Sequence, residues 1–186
     1  MEPAGRDSGP SSARSGSARD FSTRQRDPAY HQRMPELSEW LRLLSNEKPE
    51  VRNRAAEILV HRPDTPVSVL AWIGTYCDST SIPNARRRLR GVRDGQVLEV
   101  LRRAAQDADS TVRGRACDAL VFVASRAAID ELGRLLEDED AAVRIQAILG
   151  LAHLNTTRSR TLLQERLRSG GERSPQVLAT LEANLR

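Results

Sequence analysis

Three histidines, His31, His61 and His153, are the residues of this chain whose chemistry would first suggest a metal site or a general base. They lie in separate segments, and none belongs to a His-x-x-x-His or His-Glu pair of the kind that holds a metal. The glycine pair in Ser169-Gly170-Gly171 lacks the Lys-Ser/Thr that follows in a phosphate-binding loop. We therefore predict no metal, no cofactor and no catalytic residue, which is to say a protein that is not an enzyme.

Two cysteines, Cys77 and Cys117, are far apart in the chain. Their separation fits neither a zinc knuckle nor a Cys-x-x-C redox pair, so we predict two buried structural thiols. The N-terminus has no apolar stretch like that of a signal peptide, and apolar runs such as Ala119–Ala124 are too short to cross a bilayer. We expect a cytoplasmic protein that makes no membrane contact.

One run of basic residues could bind an anion. Five arginines crowd a single predicted helix: Arg86, Arg87, Arg88, Arg90 and Arg93. Because Arg86, Arg90 and Arg93 have i, i+4, i+7 spacing, they are expected on one helix face, where they could bind a phosphate backbone or an acidic peptide. Nearby Arg102 and Arg103 would widen this patch. The alternative is a solvated face paired with local acids, which is the commoner role of a charge run.

The body of the chain is less basic than the overall pI of 9.8 suggests. Residues 1–34 carry six arginines against four acids, and so supply half of the net charge of +4. The nearly neutral remainder argues against a nucleic-acid-binding protein that is basic throughout. Lys48 is the sole lysine among 29 basic residues, a bias that we interpret as the mark of a GC-rich, bacterial genome.

Residues 1–34 are predicted to form a disordered tail rich in arginine, serine and glycine. Phe21 and Tyr30 are its large aromatic groups, too few to offset the entropy of ordering the segment. The alternative is a segment that folds onto a partner through its last residues, with Arg24, Arg26, Tyr30 and Arg33 as the contacts.

The part of the chain after residue 34 contains a repeated sequence pattern. The segment Leu98–Leu120 and the segment Ile129–Leu151 each read as an apolar helix, an Asp-x-Asp turn, a Val-Arg pair and a second helix. In both copies the valine, Val112 or Val143, is followed by alanine at the fourth and leucine at the eighth later position. A tandem repeat of this length is the mark of a stacked array.

The same phase extends over the rest of the chain, with Val51, Ser81 and Val177 at the positions equivalent to Val112. We predict an all-α domain over residues 35–186 in which about five helical hairpins stack into a right-handed α-α superhelix. Stacking is required because one hairpin cannot cover its own apolar face. The predicted repeats are approximately 35–62, 64–93, 95–125, 126–155 and 157–186.

The turn sequences resemble a known family. Asp107-Ala108-Asp109 before Val112-Arg113, and Asp138-Glu139-Asp140 before Val143-Arg144, resemble the signature of HEAT repeats, particularly the short bacterial form that also occurs in phycobilin lyase subunits. The segment His61–Leu70 is similar to the leucine-rich variant repeat, a related helical solenoid.

The resemblance to HEAT-like repeats implies a ladder of ion pairs along the stack. The turn aspartate would pair with the arginine that follows the valine, so that Asp107 pairs with Arg113 and Asp138 with Arg144. Asn46 stands at the turn position before Arg52. The ladder should therefore be interrupted at its first rung.

The resemblance also implies a function, a non-enzymatic protein-binding scaffold or adaptor that contacts its partner through the concave face formed by the second helices. One alternative is nucleic-acid binding through the arginine-rich helix, as in the HEAT-like alkylpurine DNA glycosylases, and another is a subunit of a lyase-type enzyme similar to the phycobilin lyases. The His-Glu pairs with which HEAT-type hydroxylases hold iron are absent. We favour a protein partner over a nucleic acid.

Overall fold

The computed structural model describes residues 36–78 and 80–185, which fold into α-helices without any β-strand. In chain order these helices are α1 (Leu37–Leu43), α2 (Pro49–His61), α3 (Val67–Tyr76), α4 (Ile82–Arg88), α5 (Gly95–Ala104), α6 (Ser110–Val123), α7 (Arg126–Leu135), α8 (Ala141–Leu154), α9 (Thr157–Ser169) and α10 (Pro175–Ala183). The predicted all-α class is confirmed. The predicted tail lies outside the described residues and stays a prediction. No helix in the described ranges is long and apolar enough to span a bilayer.

Short polar residues fix where most of the helices begin. In six of them the N-cap side chain accepts a hydrogen bond from a backbone N–H in the first turn: Asp94, Asp109, Ser125, Asp140, Thr156 and Ser174. These caps satisfy donors that have no partner within the helix. Pro49 and Pro175 are the first residues of α2 and α10, where a missing N–H costs nothing.

Consecutive helices pair into five hairpins, α1–α2 through α9–α10, that stack along one direction as an α solenoid. The second helices α6, α8 and α10 pack more closely on one another than the first helices α5, α7 and α9 do. The stack therefore curves, with the second helices on its concave side. The close approach of α6 and α8 depends on Gly150, where an added Cβ would lie 3.0 Å from Cγ2 of Val121.

The positions that repeat in the sequence occupy equivalent places in the core. Ala55, Ala116 and Ala147 are fully buried, since the small side chain lets neighbouring helices approach. Leu120 and Leu151, four residues further along, are also fully buried. The aliphatic core is thus continuous from one hairpin to the next, as expected for a stack that is stable only through its interfaces.

Hairpin 2 departs from this pattern. Its first helix, α3, packs against both α5 and α6, while α4 is short and makes a smaller contact with α6. The prediction of one helix carrying Arg86, Arg90 and Arg93 on a single face is wrong, because α4 ends at Arg88. Gly91 adopts a left-handed φ of 71°, and its N–H donates to the carbonyl of Phe122 in the next hairpin. The chain turns away before the helix can reach Arg93.

Candidate functional site

Arginines at the start of the second helices join successive turns. Arg113 donates through Nη1 to the backbone carbonyls of Asp107 and Ala108 in its own turn, at 2.9 and 3.1 Å. Its Nε and Nη2 donate to both carboxylate oxygens of Asp138 in the next turn, at 2.8 and 2.9 Å. One guanidinium therefore holds two hairpins together through its planar set of donors.

The next rung has the same geometry. Nη1 of Arg144 donates to the carbonyls of Asp138 and Glu139, while Nε and Nη2 donate to the two carboxylate oxygens of Glu172, both at 2.9 Å. An ion-pair ladder exists in this part of the chain, but the predicted pairing of carboxylates within one turn, Asp138 with Arg144, is wrong. The arginine side chain points along the stack. It therefore donates to backbone carbonyls of its own turn and to a carboxylate of the following turn.

The predicted pair of Asp107 with Arg113 is wrong for the same reason. The carboxylate of Asp107 instead accepts the backbone N–H of Asp109 at 2.9 Å, and Asp138 does the same for Asp140. These contacts stabilise the turns in which the N-cap residues stand. The turn aspartates thus shape their own turns, and Asp138 also receives the arginine of the preceding hairpin.

The carboxylate of Glu172 accepts more hydrogen bonds than that of Asp138, the other acid of the ladder. Besides Arg144, its carboxylate accepts Nη2 of Arg166 at 2.9 Å and the backbone N–H of Ser174 at 2.8 Å. Burial by itself would raise the pKa of Glu172, but the hydrogen bonds from Arg144 and Ser174 and the two positive charges lower it below its usual value. The group is therefore held ionised inside a joint between hairpins 4 and 5.

A cavity of about 290 Å³ opens beside this rung. Its walls are Glu137, Asp138, Glu139, Arg144, Arg166, Gly171, Glu172 and Arg173. The guanidiniums of Arg144 and Arg166 in this wall are already paired with Glu172. The cavity belongs to the ladder, and its charges serve to join the hairpins.

The ladder stops at hairpin 2. Arg52 donates to the carbonyls of Asn46 and Glu47 as the pattern requires, yet within the described ranges no carboxylate binds it. Arg52 keeps the contacts to its own turn and lacks only the carboxylate that the next hairpin would supply, so the expected interruption of the first rung has its cause in hairpin 2 rather than in Asn46. Burial raises the pKa of the Cys77 thiol to about 11, against the smaller effect of Arg52.

Two of the five candidate binding arginines use their donors inside the protein. Arg86 donates to the carbonyl of Gly74 at 3.1 Å, to the carboxylate of Asp118 at 2.9 Å and to the carbonyl of Arg115. Arg88 donates to the carbonyls of Val60 and Arg62, at 2.9 and 2.8 Å. These contacts join hairpin 2 to its two neighbours where the ladder is missing.

The other three candidates, Arg87, Arg90 and Arg93, are exposed. Arg87 donates to the side chain of Asn84, and the guanidinium carbon of Arg90 lies 6.0 Å from the ring centroid of Phe122. Across the described part of the chain no carboxylate pairs with any of these three arginines. They remain candidates for binding a ligand, and their role stays a prediction.

The concave face is formed by a regular set of positions. Counting the repeat valine as zero, positions 2, 6 and 10 of a second helix point away from the core. These concave positions are Gly114, Asp118 and Phe122 in α6, Ile145, Leu149 and His153 in α8, and Ala179 and Ala183 in α10. All of them are partly or fully exposed, so they form the surface that a partner would meet.

Leu149 is the concave residue that sequence reasoning missed. Its side chain is 43% exposed, the largest value for a large apolar residue in the described ranges. The equivalent position holds Asp118 in hairpin 3 and Glu57 in hairpin 1, and this contrast between aligned copies was the available signal. An apolar side chain in that place has no role in the core.

The cysteines and histidines do not form a site. Cys77 and Cys117 are buried free thiols, as predicted, and burial also raises the pKa of Cys117. His61 and His153 are exposed on α2 and α8, and His31 lies outside the described residues. Residues 36–78 and 80–185 contain no group of three or more histidine, cysteine or acidic side chains placed to hold a metal ion.

The stacked hairpins make this protein an α solenoid, and comparison with known proteins identifies its class. Residues 97–185 match the HEAT repeats family. Residues 97–185 are therefore HEAT-like repeats, as the turn sequences of this part of the chain indicated, although the nearer likenesses to the phycobilin lyase form and to the leucine-rich variant repeat stay predictions. A search of curated proteins gave no match.

A solved structure has the same fold. The crystal structure of an engineered protein is similar to this chain at 19% sequence identity and a TM-score of 0.51, over 82% of this chain and 78% of that chain. At this identity the similarity concerns the fold alone.

Proposed function

We propose that this protein is a non-enzymatic scaffold or adaptor that binds a protein partner on its concave face. HEAT-like solenoids are typically interaction scaffolds, in which the stacked hairpins set the shape and surface side chains set the specificity. The observation that carries the proposal is the division of labour within each second helix. The core positions and the ladder arginines hold the stack, whereas most concave positions do not.

Helix α8 illustrates this division. Val143, Ala147 and Leu151 are buried in the core, and Arg144 binds Glu172. On the concave side Leu149 and His153 are exposed, and neither side chain makes a hydrogen bond or ion pair among the described residues. The fold therefore does not determine which residues stand at these two positions, and the requirements of a partner can determine them.

Affinity capture with matched variants tests the proposal. The whole chain, after nuclease treatment, is used to capture proteins from extracts of its source organism, which are quantified by mass spectrometry. A concave variant, His153→Arg with Ala179→Arg, is compared with a control, Gln96→Arg with Gln164→Arg, that adds the same charge on first helices.

The proposal expects proteins that bind the whole chain and the control but are lost from the concave variant. Proteins retained equally by all three baits, or captured only without nuclease treatment, would contradict it. Repeating the capture without residues 1–34 shows whether the N-terminal segment contributes to binding.

A second candidate function, binding of a nucleic-acid backbone, is favoured by one observation. Arg87, Arg90 and Arg93 are exposed, and no carboxylate within residues 36–78 and 80–185 pairs with them. The test of this function is the triple variant with glutamate at these positions, with DNA or RNA binding measured at two salt concentrations. Loss of binding and of its salt dependence would support this function, because each phosphate contact releases counterions. Arg86 and Arg88 are left unchanged, since they hold the fold.

A further inference from the structure

A strip across the concave face combines an exposed apolar side chain with unpaired positive charge. We propose that this strip, formed by Arg90, Phe122 and Leu149, binds an acidic peptide segment of a partner protein through a large apolar side chain of that segment. The proposal rests on the proposed scaffold function and adds the chemistry of the partner. We call these three residues the Arg90–Phe122–Leu149 strip.

The members of the strip lie on successive hairpins that are in contact with one another. The guanidinium of Arg90 lies over the ring of Phe122, and the N–H of Gly91 donates to the carbonyl of Phe122 at 3.3 Å. Val121 and Gly150, the neighbours of Phe122 and Leu149 in sequence, meet at the closest approach of α6 and α8. The strip therefore spans the end of hairpin 2 and the packed second helices of hairpins 3 and 4.

The apolar part of the strip is exposed where the fold does not require it. Leu149 faces the concave side, while Leu178, the other large apolar residue with high exposure, stands at the ladder position of α10 and faces the end of the stack. Phe122 is partly exposed, packs against the edge of the core, and has the guanidinium of Arg90 over its ring. Aromatic and aliphatic side chains presented together in this way are typical of the centre of a protein interface.

Charge selects the kind of partner. Arg90 and the nearby Arg93 have no carboxylate partner among the described residues, and the acid closest along α6, Asp118, is bound by Arg86 at 2.9 Å. The hairpin 2 end of the strip therefore carries two exposed arginines without a carboxylate partner in the described part of the chain, which favours an acidic segment. Residues 1–34 of this chain carry six arginines against four acids, so the chain's own N-terminal segment has the wrong sign to occupy the strip.

Fluorescence anisotropy tests the strip with the whole chain. The probe is a labelled peptide of alternating glutamate and leucine residues, compared with one in which lysine replaces glutamate and one in which serine replaces leucine. We expect the acidic, leucine-containing peptide to bind at least tenfold more tightly than either control. Equal binding of the three peptides would overturn the proposal.

Two variants locate the binding. Leu149→Asp and Arg90→Glu should each weaken binding of the acidic peptide about tenfold or more, which corresponds to about 1.4 kcal/mol. The matched controls Leu178→Asp and Arg54→Glu, at exposed positions outside the strip, should bind like the unaltered chain. Unchanged circular dichroism and melting temperature verify the fold of each variant, and loss of binding in the controls as well would overturn the assignment to the strip.

Two other occupants are outcomes of the same experiment. Single-stranded DNA that binds more tightly than the peptide, and is lost in Arg90→Glu but not in Leu149→Asp, would replace the proposal with a nucleic-acid site. A dimer in sedimentation experiments that Leu149→Asp dissociates would assign the strip to a second copy of this chain. Captured partners that survive Leu149→Asp but are lost from the His153→Arg, Ala179→Arg variant would refute the strip and leave the scaffold function standing.

Discussion

Arg113 in α6 and Asp138 in the turn before α8 form a bidentate ion pair that joins one hairpin to the next. The two side chains are only 8% and 7% exposed. The same guanidinium also binds the carbonyls of its own turn, which fixes its direction along the stack. Hairpins 3, 4 and 5 are thus joined by oriented polar contacts as well as by the apolar core, and the contacts set the register in which the hairpins stack.

Removing one partner of this pair should destabilise the stack. Asp138→Ala leaves the buried Arg113 guanidinium without the carboxylate of Asp138, and we expect a loss of about 2–3 kcal/mol in the free energy of unfolding. Urea denaturation followed by circular dichroism measures this loss. The control is Glu57→Ala, which removes the exposed pair with Arg54 and should cost less than about 1 kcal/mol. Equal losses for the two substitutions would show that the Arg113–Asp138 pair stabilises the protein no more than an exposed ion pair does.

The ionised state of Glu172 predicts a dependence of stability on pH. Its pKa in the folded protein lies below the unfolded value of 4.5, so its contribution is present above pH 4.5 and is lost as the pH falls through the lowered pKa. Glu172→Gln should be less stable than the unaltered chain near neutral pH, with a smaller further loss on acidification. Thermal melts from about pH 6 to about pH 3 measure the difference. Parallel curves for the two proteins would contradict this account of Glu172.

A charge in the centre of the stack should unfold it. Leu120 is fully buried between hairpins, so Leu120→Asp places an unpaired carboxylate in the core, at a cost of about 4 kcal/mol or more. Leu149→Asp makes the same chemical change at an exposed position and should leave the melting temperature nearly unchanged. Full helical circular dichroism and an unaltered melting temperature for Leu120→Asp would disprove the assignment of Leu120 to the core.

Two adjacent arginines of α4 should differ in their effect on stability. Arg86 binds Gly74, Asp118 and Arg115 across the joint between hairpins 2 and 3, so Arg86→Ala should cost about 1–2 kcal/mol. Arg87 is exposed and binds Asn84 alone, and Arg87→Ala should stay within about 0.5 kcal/mol of the unaltered chain. Chemical denaturation of both variants decides whether Arg86 is structural. Indistinguishable denaturation midpoints would show that it is not, and Arg86 would again be a candidate for binding a ligand.

Most of the fold could be predicted from the sequence because the same structural unit recurs along the chain. Val112 and Val143 recur with the same alanine, leucine and turn aspartates around them, and a core position can be recognised from its copies. Leu149 could be noticed only as a departure from its aligned partners. Its exposure depends on the curvature of the stack, which is a property of several hairpins together.

Two errors in the sequence interpretation have a local cause. The partner of Arg113 was placed in its own turn, because spacing along the chain does not tell which of two successive turns a long side chain will reach. The arginine-rich helix was drawn as far as Arg93, although Gly91 permits the left-handed turn that ends the segment. The direction of the ladder arginines and the early end of α4 together determine which arginines remain available to a ligand.

Site-specific photo-crosslinking tests the central claim, that the concave face is where a protein partner binds. A photoreactive phenylalanine derivative is placed at His153 on the concave side of α8 or, as the matched control, at Gln164 on the first helix α9, both of which are exposed. The account predicts a covalent product with a protein partner from position 153 and none from position 164. Products from both positions in equal yield, or from position 164 alone, would contradict it.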